Sequence, residues 1–318
     1  MARIIPFECP LTEREKEIQE IITRSGLPVP DVYWHRKYMT DIAVRVQTAF
    51  NEKMVFLPFD HVVEVGACGG ILHGGDEKSG PRSMRGAYES FADFLNVRIP
   101  HAVYVRRLEE IIKCCSYFRR QKIPVFIEGS GPLNVLFGLM ETETVLRDMR
   151  KEVFEFEAVI KKIADFLVFY YGQLVRSGAK VISIDDSASA VEILGNYGTS
   201  SYTQFYLYPF LCKLEDALHG KALIHLCPKV TNALIAVRFA KYVPLFPSSR
   251  GLMTYEDGIL TGAGKVSFMG QLCFKSLWIF RRPFICRTYK AVLPSDMNRT
   301  AVKRLQAFIL SVGRFRFG

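Results

Sequence analysis

Short apolar segments alternate along this chain with amphipathic helical segments, and this alternation constrains the fold more than any other feature. Apolar runs that end in polar residues are typical of strands buried on both faces. Such runs lie at 54–60, 123–132, 180–186, 222–227, 242–246 and 266–269. Helical spacing of apolar residues occupies 36–50, 103–120 and 142–176. Strands separated by long helices indicate parallel pairing through right-handed crossovers.

Polar side chains follow several of these strands at the point where each strand ends. They are Asp60, Glu128, Asp185, Asp186, His225 and Cys227. In a closed (β/α)8 barrel the carboxyl end of every strand faces the active site, whereas an open doubly wound sheet binds ligands at one switch point. The sequence therefore predicts an α/β fold of the TIM-barrel type. We expect residues 1–318 to form one barrel domain, with 1–50 as an N-terminal helical extension.

The composition excludes several other classes of protein. Of the 318 residues, 49% are hydrophobic and 23% are charged, as in globular proteins. No apolar run reaches the roughly 18 residues that a membrane-spanning helix needs, and the N-terminal sequence does not have the pattern of a signal peptide. The eight cysteines have no short repeated spacing that would indicate a disulfide scaffold. We therefore expect a cytoplasmic protein with reduced thiols and no membrane partner.

The positive charge is concentrated in the last quarter of the chain. Residues 251–318 hold eleven Lys and Arg against three Asp and Glu, which is +8 of the total of +10. Such a segment can face phosphates or an acidic partner, or it can be a solvated surface with a basic tail. We prefer the second interpretation and expect no nucleic-acid partner.

The predicted strand at 222–227 ends in the sequence His225-Leu-Cys227. Side chains two residues apart in a strand point to the same face, so this imidazole and this thiol are expected to face one point. Imidazole nitrogen and thiolate sulfur are donors that zinc prefers. Two ligands alone do not make a metal site, and the alternative is that both side chains pack in the core.

Four motifs in a fixed order resemble a known family. They are Pro58-Phe-Asp60 followed by Glu64, Glu128-Gly-Ser-Gly-Pro132, Ser183-Ile-Asp-Asp186 followed by Tyr208-Pro209, and His225-Leu-Cys227. Their order and spacing resemble the uroporphyrinogen decarboxylase-like superfamily. Within it they are most similar to the zinc-dependent corrinoid methyltransferases of the methylcobamide:coenzyme M type. The resemblance covers about residues 35–235.

The resemblance implies a zinc-dependent methyltransferase on a (β/α)8 barrel. It implies a corrinoid, either methylcobalamin or a corrinoid protein, as the methyl carrier, and a small thiol, tetrahydrofolate or a methoxylated small molecule as the other partner. It also implies zinc ligation by His225, Cys227 and a third cysteine, for which we prefer Cys286 over Cys273. Only fifteen residues separate Gly270 from Cys286, so the last β/α unit is expected to be abbreviated.

The other candidate site residues each have a functional and a structural interpretation. We assign Asp60 and Asp185 as catalytic candidates, and Glu128, Asp186 and Tyr208 as cofactor-binding candidates. The paired aspartates can fix the imidazole tautomer by accepting its distal N–H, or they can cap a helix. Glu128 is a fourth ligand or a loop acid, and Tyr208 lines a corrin-sized cavity or belongs to the aromatic core.

Two further functions remain open at this point. A decarboxylase acting on a tetrapyrrole, like the enzymes that give the superfamily its name, would need no metal and could use Asp60 as its acid. The chain lacks the arginine-rich N-terminal motif of those enzymes. A barrel that binds a corrinoid or tetrapyrrole without turnover is the third hypothesis.

Overall fold

In a computed structural model of the chain, residues 11–99, 105–245, 252–276 and 284–291 are described. The basic segment beyond residue 291 and the first ten residues lie outside these ranges. No helix within them is long and apolar enough to cross a membrane.

The described helices in chain order are α1 Leu11–Ser25, α2 Arg36–Phe50, α3 Val63–Ala67, α4 Phe91–Asn96, α5 Arg106–Arg120, α6 Pro132–Leu139, α7 Thr142–Lys151, α8 Val153–Ser177, α9 Val191–Tyr202, α10 Tyr208–Leu218, α11 Pro228–Ala236 and α12 Tyr255–Gly262. The described strands are β1 Val55–Leu57, β2 Ile71–His73, β3 Arg82–Arg85, β4 Val125–Ser130, β5 Ala179–Asp185, β6 Leu223–Leu226, β7 Ala240–Pro244, β8 Leu252–Met253, β9 Phe268–Met269, β10 Phe284–Ile285 and β11 Arg287–Ala291.

The main sheet confirms the predicted α/β class. Its described strands lie in the order β1-β4-β5-β6-β9-β11-β7. The strands β1, β4, β5, β6 and β9 are parallel neighbours, and helices connect the first four of them. These four strands follow the order of a TIM barrel, which places their carboxyl ends at one edge.

The C-terminal third departs from the predicted (β/α)8 order. The strand beside β6 is β9 rather than β7, and β11 runs antiparallel to both β9 and β7. A parallel connection needs a crossover of a dozen or more residues, usually a helix. The described residues between β9 and β11 form no α-helix that could provide such a crossover, and the chain returns antiparallel. Among the described residues, no pairing joins β7 to β1.

The glycine-rich segment 66–83 contains part of a hairpin. Strands β2 and β3 pair antiparallel there. Gly75 has a φ of +97° in the connecting turn, a conformation that glycine adopts without strain. The two strands are only three and four residues long, too short for periodicity in the sequence to reveal them.

Two buried clusters lie on opposite faces of the parallel strands. The larger one packs the outward side chains, such as Val125, Ile182 and Ile224, against the surrounding helices. The inner cluster joins inward side chains of β1, β4, β5 and β6 to side chains of residues 252–276 and 284–291, here called the C-terminal segment. Its members are Met54, Phe56, Phe126, Val181, Leu223, Tyr255, Ile259, Met269, Phe274 and Cys286. Described side chains from the C-terminal part of the chain therefore pack on this face of the sheet.

Helix α1 packs beside β1, at the edge of the sheet. Its Arg14 is 1% exposed and forms an ion pair with Glu52, with 2.6 Å between Nη1 and Oε1. The guanidinium also lies over the rings of Phe50 and Phe56, at 4.5 and 4.8 Å from their centroids. A buried charge pair of this kind fixes the position of α1 relative to β1.

Candidate active site at the carboxyl ends of the parallel strands

Three polar residues lie in one row across β4, β5 and β6. Glu128 is in register with Ser183, and Ser183 is in register with His225. All three are buried, although polar groups are rarely buried without partners. The row lies in the carboxyl-terminal halves of the strands, near the edge where the sequence predicted the site.

The imidazole of His225 is fully buried and both of its nitrogens have protein partners. Nδ1 lies 2.9 Å from the hydroxyl of Ser183. Nε2 lies 3.1 Å from the carbonyl oxygen of Leu272 and 3.2 Å from the hydroxyl of Tyr255. Since a carbonyl only accepts, Nε2 carries the proton and Nδ1 accepts from Ser183.

His225 is neutral in this environment. Burial lowers the pKa of its imidazole to about 4 because the charged form is poorly solvated there. The rings of Phe126, Tyr255 and Phe274 surround it, with centroids 5.5, 5.9 and 6.0 Å away. A neutral imidazole is the form that binds metals.

Cys227 lies one residue beyond the end of β6, at the residue that precedes α11. Its backbone N–H donates to the carbonyl of Ile184 over 3.0 Å, and its half-buried side chain packs against the larger cluster. Pro228 begins α11 directly afterwards. Because the strand ends at Leu226, strand alternation no longer fixes where the thiol points, and its pairing with His225 stays a prediction.

The two candidates for the third ligand both come from the C-terminal segment. Cys286 belongs to the inner cluster, with Sγ 3.6 Å from the carbonyl oxygen of Thr254, and burial raises the pKa of its thiol to about 11. Cys273 is 4% exposed and directly follows Leu272, whose carbonyl accepts from His225. The choice between them stays open.

A second polar cluster lies at the ends of β1 and β4. The ammonium of Lys275 donates to Nε2 of His61 over 2.6 Å and lies 3.7 Å from Oε2 of Glu128. Glu15 of α1 lies 3.7 Å from Nε2 of His61. Burial, opposed by the charge of Lys275, raises the pKa of Glu128 to about 7. Burial and Lys275 lower the pKa of His61 to about 3.

Asp60 forms a buried ion pair. One oxygen accepts from Nη2 of Arg107, and the other accepts from the backbone N–H of Val62 over 3.1 Å. Arg107 also donates from Nε to the carbonyl of Tyr33 over 3.0 Å. These contacts give Asp60 a structural role, and its predicted catalytic role stays a prediction.

The paired aspartates contact groups other than His225. Asp185 accepts from the backbone N–H of Ser187 over 3.0 Å. Asp186 is fully buried and accepts from the N–H of Asn134 over 2.9 Å and from the hydroxyl of Tyr202 over 2.7 Å. Asp186 thus caps the first turn of α6, a helix that precedes it in the chain. Ser183, and not one of the aspartates, forms the hydrogen bond with the imidazole of His225.

Tyr208 begins α10 and stacks on Phe239, with 4.7 Å between ring centroids. Its half-buried ring packs against the larger cluster. This packing agrees with the aromatic-core interpretation, and its predicted role in cofactor binding stays a prediction.

Comparison with known proteins identifies the family. The family model described as uroporphyrinogen decarboxylase (URO-D) matches residues 17–242, which is more than half of the chain. The chain belongs to the uroporphyrinogen decarboxylase family. The match ends within β7, close to the point where the sheet departs from the barrel order.

Within the uroporphyrinogen decarboxylase family, the resemblance is to methyltransferases. The chain is 23% identical over 230 residues to the methylcobamide:CoM methyltransferase MtbA of Methanosarcina mazei. The aligned residues cover 68% of this chain and 63% of the relative. A solved structure described as a methyltransferase from Methanosarcina mazei matches with a TM-score of 0.59 and 19% identity. That match covers 68% of this chain and 64% of the other, and it supports the barrel-type α/β fold. The chain thus spans a little under two thirds of these relatives.

The residues fit zinc by donor type but not by their arrangement. Imidazole and thiolate are suitable ligands. However, the described ranges contain no group of three or more His, Cys, Asp or Glu side chains that could hold a metal ion. The lone pair of His225 on Nδ1 accepts from Ser183, and the proton on Nε2 is donated to a carbonyl. Metal binding at this imidazole requires one of these contacts to break.

Sequence reasoning assigned no role to four residues of these clusters. Ser183 interrupts an otherwise apolar strand directly before the paired aspartates, which is a signal that could have found it. His61 directly follows Asp60 at a strand end and offered a similar signal. Lys275 and Tyr255 come from the irregular C-terminal segment, where no periodicity indicates that they reach the centre of the sheet.

Proposed function

We propose that this chain is a corrinoid-dependent methyltransferase. It moves a methyl group between a corrinoid, free or carried by a corrinoid protein, and a second small molecule. That molecule is a thiol or tetrahydrofolate as the methyl acceptor, or a methoxylated small molecule as the methyl donor. Family membership and the activity named for the MtbA relative support the reaction class. The observation that carries the proposal is the buried His225 at the end of β6, in register with Ser183 and followed by Cys227. A reducing cytoplasm is part of the same proposal.

The proposal includes zinc, with His225, Cys227 and Cys286 as its ligands and Cys273 as the alternative to Cys286. A metal bound by thiolates and one imidazole would deprotonate a thiol substrate near neutral pH and keep its sulfur nucleophilic. The donor types support this assignment. Zinc binding by His225 requires that one of the hydrogen bonds of its imidazole breaks. The proton transfer that we propose for Glu128 does not require zinc.

The protein's own groups can accept the proton that the reaction releases. Methylation of a thiol by methylcobalamin breaks the S–H bond and the Co–C bond and forms an S–CH3 bond; the electron pair of the Co–C bond stays on the cobalt, and one proton is released. The carboxyl of Glu128, with a pKa raised to about 7 by burial, is suited to accept that proton near neutral pH. Lys275 lies 3.7 Å away and can stabilise the carboxylate when the proton leaves again.

The decisive assay mixes the purified protein with methylcobalamin and a small thiol such as coenzyme M, and follows the loss of methylcobalamin absorbance. We expect methyl transfer that needs both the protein and the thiol. Decarboxylation of uroporphyrinogen without any methyl transfer would replace this proposal with the decarboxylase hypothesis. Tight methylcobalamin binding without turnover would favour the non-catalytic barrel.

The third ligand can be assigned with two matched variants. If Cys286 completes the site, Cys286→Ala loses zinc affinity while Cys273→Ala keeps it, and the pattern reverses if Cys273 is the ligand. Titration with zinc against a chromophoric chelator measures both. If neither change matters, then neither cysteine is a zinc ligand, and a carboxylate such as Glu128 becomes the candidate.

A further inference from the structure

A cationic cavity lies at the opposite end of the sheet, where the parallel strands begin. Its volume is about 450 Å3, and it lies between the ends of α5 and α8, the start of β5 and the turn before β6. The charged residues that line it are Arg119, Arg176, Lys180 and Lys221. No carboxylate lines it, and within the described ranges none of these four side chains forms an ion pair.

Local geometry holds these cations close together. Arg119 donates from Nη1 to the carbonyl of Arg176 over 3.1 Å, which brings one guanidinium to the end of α8. Gly178 has a φ of +125°, and a Cβ there would lie 2.6 Å from the Cβ of Arg119. The absence of a side chain at residue 178 therefore lets Arg119 lie across the backbone at the start of β5.

The two lysines line the cavity from the start of β5 and from the turn before β6. Lys180 is exposed, although its neighbours in β5 from 179 to 184 are buried. Lys221 lies beside Gly220, whose φ is +68°, and a Cβ at Gly220 would meet no atom within 4 Å. The glycine leaves the backbone at the cavity rim open to a ligand.

Helix dipoles explain part of this charge but not all of it. Cations near the last turn of a helix are stabilised by the dipole, which accounts for Arg119 in α5 and Arg176 in α8. Lys180 belongs to a strand and Lys221 follows the turn after α10, so neither lies in the last turn of a helix. Four like charges around one cavity repel each other, and an anion between them removes that repulsion.

We propose that this cavity binds a ligand with a di- or triphosphate group, through Arg119, Arg176, Lys180 and Lys221. Cavities of roughly 300–1,000 Å3 are typical for small ligands, and arginine and lysine are the usual partners of phosphate. Lys221 precedes His225 by four residues, or roughly 13 Å along an extended chain. The cavity is therefore separate from the candidate active site and does not depend on the proposed methyl transfer.

Calorimetric titration with sodium tripolyphosphate tests the proposal, and the paired variant Lys180→Gln/Lys221→Gln is the central comparison. The control is Lys151→Gln/Lys161→Gln, which removes the same charge from exposed positions. Lys161 lies fifteen residues before Arg176 in α8, or about 22 Å away. We expect the cavity variant to bind at least tenfold more weakly than wild type, and the control to stay within twofold.

Parallel titrations identify the source of the phosphates. Equal affinity for tripolyphosphate and ATP means that the phosphate chain is the ligand, whereas clearly tighter ATP binding means that a nucleotide is. Three results overturn the proposal: no binding at millimolar tripolyphosphate, equal losses in both variants, or binding only to duplex DNA with affinity that grows with its length. If the lysines only stabilise the fold, the cavity variant melts earlier while tripolyphosphate leaves the wild-type melting temperature unchanged.

Discussion

The parallel strands and the C-terminal segment are built in different ways. Strand β5 has seven residues and helix α8 has 25, whereas β8, β9 and β10 have two residues each and α12 has eight. Strand β11 pairs with β7 over five residues, but the two-residue strands contribute few backbone hydrogen bonds, so side-chain contacts in the inner cluster hold residues 252–276 in place. The comparison shows that the candidate site joins a regular region to an irregular one.

His225 lies at the junction of the two regions. Its Nδ1 contacts Ser183 in the parallel sheet, and its Nε2 contacts Tyr255 and Leu272 in the C-terminal segment. Glu128 and Lys275 repeat this arrangement in the second cluster. Since elements with few buried backbone contacts open at low free energy, the contacts of Nε2 are the ones expected to break first.

The largest expected effect comes from the ion pair that joins α1 to the edge of β1. Glu52→Gln leaves Arg14 buried and without its charge partner, and removing one partner of a buried pair costs about 3–5 kcal/mol. Urea unfolding measures the loss. The control is Arg24→Gln, which breaks an exposed pair with Glu20 and should change little. Similar small losses in both variants would show that α1 does not depend on this pair.

A second comparison uses two isoleucines that are both 0% exposed. Ile182→Ala in β5 is expected to lower the free energy of unfolding by about 2–5 kcal/mol. Ile259→Ala in α12 removes the same atoms from the C-terminal segment. Hydrogen exchange should show faster opening of residues 252–276 in that variant, with β4 and β5 still protected. Uniform acceleration across the chain would mean that the two regions unfold as one unit.

The sequence was a sufficient guide where periodicity is long. The predicted helix at 36–50 matches α2, and apolar residues at helical spacing there, including Met39, Val46 and Phe50, are buried. The strands that lead to Asp60, Glu128, Asp186 and His225 were also found, because buried runs bounded by glycine, proline or acids are distinctive. The order of these four strands followed from their alternation with helices.

The sequence was a poor guide where contacts are tertiary. The antiparallel return of β11 has no signal in the sequence, since the fifteen residues between Gly270 and Cys286 only indicated that the last unit was abbreviated. No local pattern shows that Ser183 rather than an aspartate holds the imidazole, since that choice depends on the register of β5 and β6. The alternation of side chains along a strand also did not predict the direction of the Cys227 thiol, because β6 ends one residue earlier, at Leu226.

The pH dependence of stability tests the cap that joins β5 to α6. Burial raises the pKa of Asp186 to about 7, so the folded state holds a proton that the unfolded chain releases near pH 4. The contribution of Asp186 to stability therefore falls as pH rises from about 4 to 7. Asp186→Asn removes this dependence, and wild type should lose roughly 2–3 kcal/mol relative to the variant between pH 5 and 8. Parallel stability curves from urea unfolding would contradict the assignment.

The smallest expected effect concerns the hydrogen bond between Ser183 and His225. Ser183→Ala should cost about 1 kcal/mol. Zinc on Nε2 would place a proton on Nδ1 for Ser183 to accept, so the variant should bind zinc roughly tenfold more weakly. The control is Ser189→Ala, which loses another buried hydrogen bond, to the carbonyl of Asp186. Tighter zinc binding would place the metal on Nδ1, and unchanged binding would exclude His225 as a ligand.

The central claim is that methyl transfer takes place beside His225 and Cys227. The most direct measurement is the rate of methylcobalamin-dependent thiol methylation by Cys227→Ser, with zinc content determined on the same sample. Cys212→Ser on α10 is the matched control, since that cysteine is also half-buried. We predict that Cys227→Ser folds normally but loses more activity than the roughly 10–100-fold typical of changes around a metal ligand, while Cys212→Ser stays within twofold. Full activity and full zinc content in Cys227→Ser would contradict the claim.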